Sequence, residues 1–242
     1  MSADLVISEA SVKRGGLEIC RDISLTAPAG EITVLLGANG MGKTTLLDGV
    51  AGVLPLASGR ITLGGRRIDG LPPDRRASRG LAYVQQGRGV FAGLSVAQNL
   101  AVVDGSQRAL DRAFELFPRL AERRDVRAGR LSGGEQQMLV IARALATRPT
   151  CLLVDELSLG LAPRVAASLM AVLQQLARDG IGVLLVEQFV ETALSVGTTA
   201  HLMQRGRIVR SGAAAELLQD RDALISPYLD GGAGPGATER LS

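Results

Sequence analysis

The run Gly37-Ala38-Asn39-Gly40-Met41-Gly42-Lys43-Thr44 fits the pattern GxxxxGK[ST] and constrains the surrounding fold more tightly than any other stretch of the chain. A loop of this kind holds phosphate on successive backbone N–H groups, so it must leave a buried strand and enter the positive end of a helix. The flanks comply. Residues 31–36 carry Ile32, Thr33, Val34, Leu35 and Leu36, a buried-strand composition, and from Lys43 onward Leu46, Leu47 and Val50 recur at helical spacing. Lysine occurs only at Lys13 and Lys43 among 27 basic residues. A chain that otherwise uses arginine thus keeps a compact ammonium where a point charge must reach the β- and γ-phosphates. Thr44 would offer its hydroxyl to Mg²⁺.

A second glycine run, Leu131-Ser132-Gly133-Gly134-Glu135-Gln136-Gln137, sets a serine and two glycines before a long helical pattern. It is a second helix start able to face phosphate. One chain cannot easily aim both at one nucleotide, so the pair suggests two copies sharing two ATP molecules.

Composition narrows the classes. A length of 242 residues, 46% of them hydrophobic, supports one large globular domain with room for an inserted subdomain. The formal charge of +3 is small and dispersed, and aromatics are 2% with no tryptophan, which argues against nucleic acid as a partner. Cys20 and Cys151 are too far apart in sequence for a metal motif or a disulfide framework and read as reduced thiols. There is neither a basic-then-apolar leader nor an apolar run of the ~18 residues that a membrane span needs, so the expected location is cytosolic or peripheral.

Short apolar strands alternating with helices predict an α/β fold, a mainly parallel sheet covered on both faces. Pro72-Pro73 opens a short helix over residues 74–79 that Gly80 closes, and residues 81–84 form a strand. Helices are expected over 96–102, 107–117 and 135–146, strands over 151–154 and 182–186, and a helix over 164–178. Two edge-like strands follow near 200–203 and 207–210. The helical stretch of about 87–150 reads as an inserted subdomain, and the glycine-rich residues 230–242 as a disordered tail. Asp155 ends an apolar strand, where a carboxylate is costly to bury unless a cation or water meets it. Adjacent Glu156 can take a proton from an attacking water while Asp155 stays with the metal.

Together these runs resemble the ATP-binding cassette (ABC) ATPases over about residues 5–229. Residues 37–44 match the Walker A loop, 151–156 the Walker B strand with its catalytic glutamate, and 131–137 the ABC signature. The resemblance implies a P-loop NTPase fold with an inserted helical subdomain and an N-terminal antiparallel β region. It implies a head-to-tail dimer, with Gly37, Asn39, Gly40, Met41, Gly42, Lys43, Thr44 and Thr45 around one nucleotide. Ser132, Gly133 and Gly134 belong to the same binding set, Ser132 and Gly134 acting on the ATP of the opposing subunit. Gln86 matches the Q-loop glutamine that senses Mg²⁺ and the attacking water, which makes Thr44, Gln86 and Asp155 the implied metal set. Residues 87–94 match the surface that usually receives a coupling helix from a membrane subunit.

Finer runs are similar to the ATPases of branched-chain amino acid importers, in particular the shorter of their two cassettes. They are Gln86-Gly87-Arg88 followed by Val90-Phe91, residues 115–120 (ELFPRL), residues 158–163 (SLGLAP) and Val186-Glu187-Gln188. Gln188 stands where most cassettes have a histidine, and its amide can still donate. His201, the only histidine, reads as structural. Arg14 aligns with the usual adenine-stacking aromatic, and a guanidinium can stack as well. Gln85 and Leu157 replace two usual prolines. The expected protein is an ATP-hydrolysing importer subunit on the cytoplasmic face of the membrane. Its implied partners are a second, different cassette, two transmembrane permease subunits and an extracytoplasmic substrate-binding protein. A urea or short-amide importer, a soluble cassette ATPase and an inactive regulatory cassette are the alternatives.

Overall fold

The computed structural model describes residues 3–87 and 89–220. The chain opens with strands β1 (Leu5–Arg14), β2 (Leu17–Ala27) and β3 (Ile32–Leu36), then helix α1 (Lys43–Ala51). Strands β4 (Leu56–Leu63) and β5 (Arg66–Arg67), helix α2 (Pro73–Ala77) and strand β6 (Leu81–Val84) follow. Four helices come next, α3 (Val96–Ala101), α4 (Gln107–Leu116), α5 (Pro118–Ala121) and α6 (Gly133–Ala146). The last part alternates as β7 (Cys151–Asp155), α7 (Pro163–Arg178), β8 (Gly182–Glu187), α8 (Val190–Leu194), β9 (Thr199–Gln204), β10 (Arg207–Ala213) and α9 (Ala214–Gln219).

Strands β10-β9-β3-β8-β7-β6 form one six-stranded sheet. Its inner pairings are parallel and only β10 runs antiparallel, against β9. Every residue of β3, β7 and β8 is buried, which is why these strands read as unbroken apolar runs. Within β3 the pleat still sorts the side chains: Ile32, Val34 and Leu36 join the core under α6 and α7, whereas Leu35 faces Leu46, Leu47 and the second sheet. That second sheet, β2-β1-β4-β5, is antiparallel.

Most element ends shift by one or two residues from the sequence reading, and three differences matter for the architecture. Strand β9 is interior, bonded to β3 on one side and β10 on the other, with four of its six residues buried. Only β10 is the edge that the pattern predicts for both. Helix α6 starts at Gly133, two residues early, because Ser132 caps it and takes the glycines into the first turn. Helix α7 starts at Pro163, a position proline suits because its missing N–H would have no partner there. The expected tail, 230–242, lies outside the described residues. No helix among the described residues is long and apolar enough to cross a membrane.

The order β3-β8-β7-β6 brings four carboxyl-terminal strand ends side by side. Residues 37–44, 188, 155–156 and 86 leave those ends in turn, so the sheet itself assembles the sequence-predicted groups.

Candidate nucleotide site

The glycine loop is held by close packing. A Cβ on Gly37 would lie 2.7 Å from the Met203 carbonyl oxygen, a backbone atom that cannot step aside. Gly42 caps α1 with φ of 99°, left-handed backbone that glycine adopts without strain. Met41 is anchored to the β9–β10 turn: its carbonyl accepts from Gly206 N–H at 3.1 Å, and its Sδ from Arg205 N–H at 3.3 Å. Asn39 and Gly40 are exposed at the tip, while Thr45 is buried in the first turn of α1 and Thr44 partly so. The Lys43 ammonium is buried, donating to the carbonyls of Gly37 at 2.7 Å and Ala38 at 3.1 Å.

One carboxylate gathers three strand ends. Glu156 Oε1 lies 3.5 Å from Lys43 Nζ, and its Oε2 accepts from Gln86 Nε2 at 2.7 Å. Glu156 has φ of 47°, and its N–H donates to the Val186 carbonyl at 2.9 Å. A glutamate in this region costs about 1 kcal/mol of backbone strain, of the kind found where a side chain must be aimed. Gln86, Gly87, Gln137, Glu156 and Leu159 line a cavity of about 510 Å³ beside it. A cleft of about 530 Å³ between α4, α6 and α7 includes none of these residues.

Asp155 is fully buried, and its Oδ1 has no hydrogen-bond partner among the described residues. Burial pushes its carboxyl up to about 6; the Thr44 hydroxyl works against that shift and the Glu156 charge adds to it. A buried anionic oxygen with no partner among the described residues, beside a threonine hydroxyl, suits a hard cation with oxygen ligands. Among the described residues no cluster of three His, Cys, Asp or Glu side chains forms a metal cage of its own. A cation here would therefore share its coordination with phosphate and water. Gln188 follows β8 half-exposed, its N–H donating to Glu187 Oε2 at 3.3 Å.

The signature residues do something local that the sequence reading missed. Ser132 Oγ accepts from Glu135 N–H at 3.3 Å and Glu135 Oε2 from Ser132 N–H at 2.8 Å, a reciprocal cap visible in the Ser-x-x-Glu spacing. Arg119 and Arg123 each stand 3.7 Å from Glu135. A Cβ on Gly134 would meet Val165 Cγ1 at 2.4 Å, so α6 and α7 pack closely there. Gly133 is partly exposed. Among the described residues no hydrogen bond or ion pair joins Ser132, Gly133 or Gly134 to the chain's own loop 37–45.

Arg14 is paired with Asp48 of α1, its side chain half-exposed. The Tyr83 hydroxyl lies 3.3 Å from Asp48 Oδ1 and 3.5 Å from Asp155 Oδ2. Burial first, then the two carboxylates, hold this phenol far above its ordinary range, so it remains a donor. Neither Asp48 nor Tyr83 stands out in the sequence; the only signal for Asp48 is a carboxylate within the apolar stretch 46–51 of α1. His201 is buried on β9 with Nδ1 2.7 Å from Ser211 Oγ, away from these groups.

A profile of the ABC transporter family matches residues 20–158. The high-affinity branched-chain amino acid transport ATP-binding protein BraG of Pseudomonas aeruginosa is 42% identical over 230 residues, covering 91% of this chain and 99% of its own. The lipopolysaccharide export system ATP-binding protein LptB of Escherichia coli K12 is 37% identical over 214 residues, covering 85% and 88%. Among solved structures, the ADP conformation of MJ1267, an ATP-binding cassette of an ABC transporter, superposes with a TM-score of 0.83 at 24% identity over 95% of this chain and 99% of that one.

Proposed function

Because the chain belongs to the ABC transporter family of ATPases, we propose that it powers an importer of branched-chain amino acids from the cytoplasmic face of the membrane. Family membership makes it a nucleotide-binding, ATP-hydrolysing subunit that works with membrane permeases. The observation that carries the catalytic part is the convergence on Glu156, whose two oxygens meet Lys43 from beyond the end of β3 and Gln86 from beyond the end of β6. In this reading Glu156 accepts the proton of the attacking water, and Gln86 orients both. Lys43 exchanges the loop carbonyls for phosphate oxygens, where the backbone N–H groups of Gly40, Met41 and Gly42 also bind. Thr44 and Asp155 would hold Mg²⁺, with Gln86 facing it; the ion's chemistry is to neutralise charge on the β- and γ-phosphates. Gln188 donates to the γ-phosphate. Arg14 presents its outer guanidinium face to the base while keeping its ion pair with Asp48.

Ser132 and Gly134 act on the nucleotide of a second cassette, which we take to be a different and longer chain. Residues 87–150 are the subdomain that receives the permeases, and an extracytoplasmic binding protein selects the substrate. Identity of 42% to BraG across almost the whole of both chains supports the amino-acid reading over export, for which the LptB identity is 37%.

The test is leucine uptake into vesicles holding this chain with its permeases, second cassette and binding protein. Glu156→Gln should retain ATP binding and lose both turnover and uptake by at least about a hundredfold, the scale of a lost catalytic base. Turnover near wild type in that variant would remove Glu156 as base. ATPase activity without leucine uptake would remove the substrate assignment and leave the ATPase standing.

A further inference from the structure

Next to Glu156 in the sheet sits a second carboxylate that the hydrolytic reading does not use. Glu187 ends β8 and is 1% exposed, in register with Leu36 at the start of the glycine loop. Its Oε1 accepts from Ser158 N–H at 2.9 Å, and its Oε2 from the Ser158 hydroxyl at 2.9 Å and from Gln188 N–H at 3.3 Å. All three partners donate, so only an acceptor-only group satisfies them together. They also come from different loops: Ser158 from the segment after Glu156, Gln188 from the segment after β8.

We propose that Glu187 is a positioning residue for ATP hydrolysis, yoking the 156–161 turn to Gln188 so that both move as one unit against the γ-phosphate. This rests on the reading of Glu156 and Gln188 given above. Three features support it. The turn is laced at both ends, Leu159 N–H donating to the Glu156 carbonyl at 3.4 Å and Leu161 N–H to the Ser158 carbonyl at 3.2 Å. Glu156 N–H is tied to the Val186 carbonyl, so the two strand ends already share their backbones beside Glu187. The residues that follow each yoked position, Leu159 and Phe189, are 45% and 52% exposed, large apolar side chains set on the two segments that one carboxylate joins. A second cassette seated on Leu159 and Phe189 would thereby set Gln188 through Glu187, linking assembly to the chemistry.

The chemistry of the donors supplies a sharp variant. In Glu187→Gln the amide oxygen can keep Ser158 N–H, and the amide N–H₂ can donate to Ser158 Oγ once that hydroxyl turns to accept. Gln188 N–H then faces a donor and is released. Shape and burial are preserved, so the variant should fold and bind ATP with wild-type affinity while kcat falls on the order of ten- to a hundredfold, the scale of a small misplacement of a reacting group. Gln188→Ala should lose a similar factor, and the double variant should lose no more than Gln188→Ala alone, because the two act in series.

These are measured as steady-state ATP hydrolysis and equilibrium ATP binding by the full chain with its permeases, with Glu156→Gln as reference. Wild-type kcat in Glu187→Gln, a factor that multiplies with that of Gln188→Ala, or a loss confined to ATP affinity would each overturn the proposal. Failure of Glu156→Gln to reduce turnover would instead overturn the hydrolytic reading beneath it.

Discussion

Arg76 offers a quantitative test of how the loop-bearing helix is held. The residue is 2% exposed, and its guanidinium donates to four carbonyls: Nε to Leu71 at 2.8 Å, Nη1 to Gly49 at 2.8 Å and Val50 at 2.6 Å, and Nη2 to Asp69 at 2.7 Å. Gly49 and Val50 lie in the last turn of α1, where the helix dipole is negative; the Gly49 carbonyl otherwise accepts only a long bond, 3.3 Å, from the Gly52 N–H of the C-cap. One planar fork therefore closes the helix that starts at Lys43. Hydrogen bonds to a charged group are each worth about 1.5–3 kcal/mol, a gross of roughly 6–12 kcal/mol for four. Removing the cation also removes its burial cost, several kcal/mol, so the net loss for Arg76→Met should be about 3–5 kcal/mol. Arg76→Lys should lose about half as much, since a single ammonium cannot reach four carbonyls spread around a fork. The assay is urea unfolding at pH 7, read as a shift in midpoint at constant slope, with a fall in Tm of roughly 6–20 °C expected for Arg76→Met. A loss below about 1 kcal/mol in Arg76→Met, or none in Arg76→Lys, would refute the argument that the fork closes α1.

Two further predictions concern packing and titration. Gly134→Ala should cost about 1–3 kcal/mol because Val165 is stiff and meets the new methyl at 2.4 Å, and adding Val165→Ala should recover most of it in the same unfolding assay. Burial depresses the His201 pKa below its ordinary 6.5, so the unfolded chain binds a proton that the folded chain refuses; this stability is complete above pH 6.5 and lost as pH falls through the folded pKa. His201→Gln should flatten that part of the difference between unfolding midpoints at pH 7 and pH 5, and an unchanged pH slope would count against it.

The parts of the fold legible in the sequence are those governed by local rules. Strands β3, β7 and β8 are buried on both faces, so nothing but apolar residues can stand there, and their runs announce themselves. The loop 37–44 is legible because its glycines answer backbone needs: φ of 99° at Gly42, and a carbonyl 2.7 Å from where a Gly37 side chain would begin. Strand β9 was harder, because His201 and the flanking Thr199 and Gln204 break the apolar run while Ala200, Leu202 and Met203 still bury. The start of α6 is not legible because glycine reads as a breaker; the Ser132–Glu135 cap outweighs its weak propensity. Glu187 carries no signal of its own in the sequence, since what distinguishes it is three donors arriving from two loops, one of them 29 residues away.

Arg14 shows what a motif position loses when it is read one residue at a time. As a replacement for a stacking aromatic it looks like a weakened base contact. In the fold it is the outer end of a polar path, Arg14 to Asp48, Asp48 to the Tyr83 hydroxyl, and that hydroxyl to Asp155 Oδ2. Two buried carboxylates flanking one phenol repel each other, and the Arg14 cation forms an ion pair with Asp48 that offsets its charge. An aromatic at position 14 could stack on a base but would leave Asp48 uncompensated beside Tyr83 and Asp155. Arginine at 14 is thus matched to aspartate at 48, an ion pair that an aromatic at 14 would remove.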